Sequence, residues 1–216
     1  MNQTSVRLWI QRKKISKQLS MRRKIMTNTK TKQANPMKVV TGIDTRWSYV
    51  NAWEPKSIEG SEPKYSVSLI IPKTDTKTVA RIRAAIQAAY KDGESKLKDN
   101  GRSVPAFDLI KTPLRDGDKE KPDDPAYAGS YFVNANSKLA PQIVDRDLQP
   151  IIDRSEVYSG VYGRASITFF AFNTNGNKGI ACSLNNLQKI ADGDPLGGKS
   201  MAEDDFASED EDDFLA

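Results

Sequence analysis

The segment from Gly160 to Ile190, GVYGRASITFFAFNTNGNKGIACSLNNLQKI, constrains this chain more than any other. From Val161 to Phe172 its residues alternate. Val161, Gly163, Ala165, Ile167, Phe169 and Ala171 fall on one side, and Tyr162, Arg164, Ser166, Thr168, Phe170 and Phe172 on the other. Side chains of a β-strand point to opposite faces with a period of two, so the first set suits a packed core and the second a surface. The Asn173 to Gly179 stretch, NTNGNKG, supplies the Asn and Gly that tolerate positive φ in a hairpin. Ile180 to Ile190 is then the returning strand, and Leu184, Leu187 and Ile190 mark a bulge or change of period near its end. A strand face mixing rings, a guanidinium and hydroxyls differs from an ordinary solvated face, and such a face can stack unpaired bases and pair with their phosphates.

The remainder of the chain supplies shorter strands. Lys64 to Pro72 places Tyr65, Val67, Leu69 and Ile71 opposite Ser66 and Ser68, and Pro72 ends the ladder. Arg46 to Trp53 alternates with Trp47, Tyr49 and Trp53 on one face, where Trp47 is the best core candidate. Ala128 to Lys138 sets Tyr131, Val133 and Ala135 against Phe132, Asn134, Asn136 and Lys138. Lys38 to Gly42, Ala140 to Val144 and Leu148 to Ile152 are shorter strand or turn candidates, the last two broken by Pro141 and Pro150. Thr74 or Asp75 is a helix N-cap, and Val79, Ile82, Ile86 and Ala89/Tyr90 form one apolar stripe running to about Lys91. Gly93 to Ala128 is rich in turn signals and reads as a solvated loop; its aspartates lack the ligand ladder of a calcium loop.

Charge divides the chain into three parts. Residues 1–36 carry ten Lys or Arg and no acid, and residues 203–213 carry eight acids and no base. The body between them holds 33 − 10 = 23 basic and 28 − 8 = 20 acidic side chains, so the net charge of +5 describes neither end nor middle. Two origins fit the first 25 residues: a basic arm, or the in-frame reading of a purine-rich ribosome-binding site ahead of a start at Met26. The expected organisation is a disordered basic arm over 1–36, a DNA-binding domain over 37–193, and a Gly-rich linker with a disordered acidic tail over 194–216. The absence of histidine and the single Cys182 exclude zinc sites, Ser-His-Asp triads and internal disulfides. No segment is apolar enough to span a membrane.

About six short strands with one covering helix predict a mostly β fold, an OB-fold-like antiparallel β-barrel. The run Gly160 to Arg164, the strand to Asn173, the Asn175 to Ile180 turn and Leu184 to Gly198 resemble a family of bacteriophage single-stranded-DNA-binding proteins. Tyr65 to Lys73, Leu114 to Asp118 and Tyr131 to Lys138 are similar to its other recurrent blocks, so the resemblance spans about residues 37–198. It implies an OB-fold core, sequence-independent binding of unpaired DNA in phage replication or recombination, and an acidic tail that engages other proteins.

The residue pattern then nominates Trp53, Tyr131, Phe132, Tyr162, Phe170 and Phe172 for stacking, with Trp47 and Tyr49 next. Lys64, Arg115, Lys138, Arg164 and Lys178 are the phosphate candidates. Asp212, Asp213, Phe214 and Leu215 are the partner-binding end of the tail, its acids steering it to basic partners and its apolar pair docking on them. No metal or cofactor is expected, the setting is cytoplasmic, that of the bacterial host if the chain is phage-encoded, and self-association is left open. Other classes remain: a metal-dependent nuclease using the Asp116 to Asp124 loop, a strand-annealing recombination protein, or a phage structural or adaptor protein. On this reading Arg164→Ala weakens binding to oligo-dT and lowers the slope of log affinity against log salt by about one phosphate's share.

Overall fold

The computed structural model describes residues 35–57, 60–98, 103–174 and 177–197. The arm before residue 35, with the alternative start at Met26, and the tail residues Asp212, Asp213, Phe214 and Leu215 lie outside the described residues. Among the described residues eight strands make one sheet: β1 (Lys38–Val40), β2 (Arg46–Lys56), β3 (Lys64–Pro72), β4 (Leu114–Asp116), β5 (Ser130–Ser137), β6 (Gln142–Val144), β7 (Tyr162–Thr174) and β8 (Asn177–Ala191). Helix α1 (Thr76–Asp92) follows β3, and two four-residue helices, α2 (Glu94–Leu97) and α3 (Gly117–Glu120), lie in the connection to β5.

Five of the strands close on themselves in the order β7-β2-β3-β5-β8, with β8 pairing again to β7. This is a ring of the OB type. It is antiparallel at every joint except one, because β5 meets β8 in parallel at Asn136 and Ser183. The β7–β8 ladder runs from Thr174 opposite Asn177 to Tyr162 opposite Ala191. Its register slips between Ser166 and Ile167, leaving Asn185 as the extra residue of a bulge, so Leu184 and Leu187 both turn inward. The Asn185 amide donates to Thr168 Oγ1 at 2.9 Å, occupying the outward side chain that the bulge creates.

The core follows the alternation. Val161 just before β7 and Ala165, Ile167, Phe169 and Ala171 within it are buried with Val67, Leu69 and Ile71 of β3 and Val133 and Ala135 of β5. Helix α1 is capped by Asp75, whose side chain accepts from the Thr78 N–H, and lays Val79, Ile82, Ala85, Ile86 and Ala89 on β7 and β1. The β2 strand closes against β7 through Trp47 N–H to Val161 O (2.9 Å) and Gly160 N–H to Trp47 O (2.8 Å). Trp47 is fully buried, its indole lying across Gly163.

The Gly93 to Ala128 connection is not the solvated loop expected. β4 pairs with β5 over Leu114 to Asp116, and the Ile180 N–H of β8 donates to Lys111 O at 2.9 Å. The segment therefore supplies a stave where β5 and β8 diverge. Its sequence looks loop-like because a three-residue strand is too short to show a period.

Gly163 is required at its position, since a Cβ there would strike both the Trp47 ring and the Gln188 carbonyl. Gly163→Ala is expected to destabilise the protein by about 1–3 kcal/mol, the usual penalty of overpacking, read as a lower urea midpoint at unchanged m-value.

Candidate nucleic-acid interface

The outer face of β2, β3 and β5 carries a groove of about 750 Å³. The register sets its floor: Ser66 lies opposite Asn136, Ser68 opposite Asn134, and Asn51 opposite Ser66. Because Val67, Leu69, Val133 and Ala135 are committed to the core, the period of two leaves these polar side chains outward. Lys56, Lys64 and the β2–β3 loop residues Ser57, Ser61 and Glu62 form one wall. Lys138 pairs with Glu62 at 2.6 Å, and its ammonium holds that carboxyl below the usual range. With Glu62 so neutralised, Lys56 and Lys64 leave the wall cationic.

Tyr49 stands at the rim. The β2–β3 register shifts between Ser48 and Asn51, and within this bulge Tyr49 has φ +48°, a left-handed conformation rare for a non-glycine residue. Side chains replace the lost ladder bonds. The Asn51 amide donates to Tyr49 O (3.2 Å) and Ser66 Oγ (3.1 Å), and the Val50 N–H donates to Ser159 Oγ (3.1 Å). The ring is thrown outward, 61% exposed. Sequence parity put Trp47, Tyr49 and Trp53 on one face; the bulge separates them, because it inserts a residue into the count.

The other end of this outer face is closed. Tyr127 is fully buried beside Ile70 and Phe132, its hydroxyl donating to Ser68 Oγ at 3.1 Å and its ring meeting Phe132 edge-on at 5.1 Å. Leu196 packs on the same cluster, and its N–H donates to Ser159 O at 2.7 Å. Lys121 Nζ lies over both the Tyr49 ring (4.9 Å) and the Tyr127 ring (4.6 Å). The segment holding Tyr127 is fastened by Lys73, whose Nζ is 2.6 Å from Asp116 Oδ1 and from Asp118 Oδ2, while Asp118 Oδ1 accepts from the Gly129 N–H at 2.7 Å. These bonds raise the Lys73 ammonium above its ordinary value and hold Asp118 below the carboxylate range.

The sequence candidates distribute unevenly around the ring. Lys64 lines the groove, and Lys138 stands at its Glu62 wall. Phe132 is a correction: it is 1% exposed, covered by Tyr127 and by the Arg115 guanidinium 4.6 Å above its ring, and has no face for a base. Arg115 is itself bound to Glu120 through Nε at 2.6 Å. Trp53 and Tyr131 are half-buried against the main core; the Trp53 Nε1 is buried without a partner, and Tyr131 lies under Lys73 and Arg83. Tyr162 is half-buried beside Arg46 and beneath Gly193. Arg164, Phe170, Phe172 and Lys178 lie along β7 and β8. Arg164 lines a separate depression there with Val40 and Val144, and Phe170 is 42% exposed. Asn51, Asn134 and Tyr49 carry more of the groove than their sequence signal suggested. Outward amides at alternate positions of β5 were visible in the sequence; the bulge was not.

For the nuclease alternative, Lys73 sits between Asp116 and Asp118, and among the described residues no three acidic, Cys or His side chains converge on one point. No helix among the described residues is long and apolar enough to cross a membrane.

A closed ring of the OB type with a polar, cationic groove across β2, β3 and β5 places this chain in the architectural class of OB folds, whose open strand face and loops commonly bind oligonucleotides. The family described as Enterobacter phage Enc34, ssDNA-binding protein, matches residues 37–215, and the chain belongs to it. Protein p50 of Acyrthosiphon pisum secondary endosymbiont phage 1 is 30% identical over 181 residues, covering 80% of this chain and 96% of that protein. Among solved structures, the single-stranded DNA-binding protein from bacteriophage Enc34 in complex with ssDNA is similar at TM-score 0.61 and 24% identity, over 74% of this chain and 90% of that one. The single-stranded DNA-binding protein gp2.5 of bacteriophage T7 is similar at TM-score 0.50 and 16% identity, over 83% and 97%. The family resemblance and the OB-like fold read from the sequence are both upheld.

Because the Asp118 carboxyl titrates below its unfolded value, its contribution to stability is complete above the ordinary carboxylate pKa of about 4 and is lost as pH falls through the folded value. Asp118→Asn is therefore expected to flatten the fall of the unfolding midpoint between about pH 5 and pH 2, measured by urea titration across that range.

Proposed function

We propose that the groove on β2, β3 and β5 holds unpaired DNA, without sequence choice and without catalysis. The observation that carries this reading is Tyr49: a ring held outward by a left-handed bulge, in the groove that Lys56 and Lys64 also line, in a chain of this family. Backbone strain of this kind persists where the surroundings over-determine it, and binding sites are where it concentrates. One base stacks on Tyr49, and the lysines take neighbouring phosphates, releasing counterions and making affinity fall with salt. No cofactor enters this mechanism. The acidic tail, with Asp212, Asp213, Phe214 and Leu215, is assigned to replication or recombination proteins of the host cytoplasm, and its charge competes with DNA for the lysines.

Of the phosphate candidates, Lys64 lines this groove, whereas Arg164 lines a separate depression, so this reading gives the contact to Lys64. In a salt-titrated fluorescence assay with oligo-dT, run with and without residues 203–216, Tyr49→Ala should cost about 1–3 kcal/mol of affinity. Lys64→Ala should lower the salt slope by about one phosphate while Arg164→Ala leaves it in place. No retention of oligo-dT at low ionic strength by either chain would overturn the assignment.

A further inference from the structure

Among the described residues the groove is lined by one aromatic ring and three amides. Stacking on Tyr49 accounts for a single base, yet Asn51, Asn134 and Asn136 line the same groove, across the strands from Ser66 and Ser68. Asn134 and Asn136 are exposed, two residues apart on β5 and so on one side of the strand. Asn51 is otherwise placed, since its amide nitrogen is spent on Tyr49 O and Ser66 Oγ.

Resting on the proposed DNA reading, we infer that Asn134 and Asn136 read the Watson–Crick edges of unpaired bases, and that they set the protein's preference for single strands over duplex. Each carboxamide presents a donor and an acceptor side by side. Every base carries a donor or an acceptor, or both, on its Watson–Crick edge, and in a duplex that edge is already occupied by the partner strand. A side chain that bonds there is therefore blind to paired DNA. Rotation of the terminal amide by about 180° exchanges its donor and acceptor, and the torsion concerned is broad and two-fold. The same residue thus serves thymine, cytosine or adenine, and contact with base edges leaves the binding tolerant of sequence. A charged or single-function side chain at either position would instead select among bases.

The test uses the full chain and two oligomers of identical length, dT and N3-methyl-dT. The second keeps every phosphate and every stacking face but loses the N3–H donor and carries a methyl group on the edge. The wild-type protein is expected to bind the methylated oligomer about tenfold more weakly, the loss of one or two hydrogen bonds. The Asn134→Ala, Asn136→Ala double variant is expected to bind unmodified dT about tenfold more weakly as well, and to stop distinguishing the two oligomers. Equal wild-type affinity for both overturns the inference, and this arm needs no variant to fold. A double variant that binds dT as well as wild type also overturns it, since the methyl effect would then be a clash alone. Failure of the DNA reading is distinguishable, because neither oligomer would be retained by the wild-type chain at low salt.

Discussion

Closure of the strand ring depends on how near β2 can come to β7. Trp47 brings the largest side chain of the core to that joint, and Gly163 leaves the space its indole fills. The backbone bonds from Trp47 to Val161 and from Gly160 to Trp47 then seal the seam. A closed ring has an inside and an outside, and every strand crossing it must commit alternate residues to each. The apolar set of β7 fills the interior, and the polar sets of β2, β3 and β5 are turned out by the same geometry. Groove and core are therefore two faces of one commitment.

The outer face is divided by what covers it. Near Ile70 and Phe132 it is treated as a second small core, roofed by Tyr127 and flanked by Leu196. The Lys73 network fastens the roof from the side, using two carboxylates that the sequence offers as metal ligands and the fold turns into anchors. Where the roof stops, at Ser68, the polar floor begins. Lys121 marks the border, its ammonium lying over one ring on each side. The strap after β8 is set by contact between glycines: a side chain on Gly193 would meet the Gly160 carbonyl and the Tyr162 ring, while Arg46 donates through Nη2 to Asp194 O at 2.6 Å.

Much of the ring was legible in the sequence wherever a strand was long. Both long strands of the hairpin, the bulge near Leu184, the Lys64 to Pro72 strand and the capped helix all show a period over enough residues to be read. The stave at Leu114 to Asp116 and the strand at Gln142–Val144 were obscure or partial for the opposite reason, since three residues carry no period. Candidate site residues were legible as types rather than as places. Parity separates two faces of one strand but does not say which stretch of an outer face a neighbouring segment will cover, so Phe132 and Asn134 looked equivalent and are not.

By itself, then, the sequence determined which residues go in and which go out along each strand, because side-chain period is a local property of the backbone. It also determined the family, through the order and spacing of blocks along the chain. Only the tertiary structure decided which outward residues share a groove. That depends on the bulge that ejects Tyr49, on the roof that hides Phe132, and on the ring that carries Arg164 away from Lys64, and each of these is a contact between segments far apart in the chain.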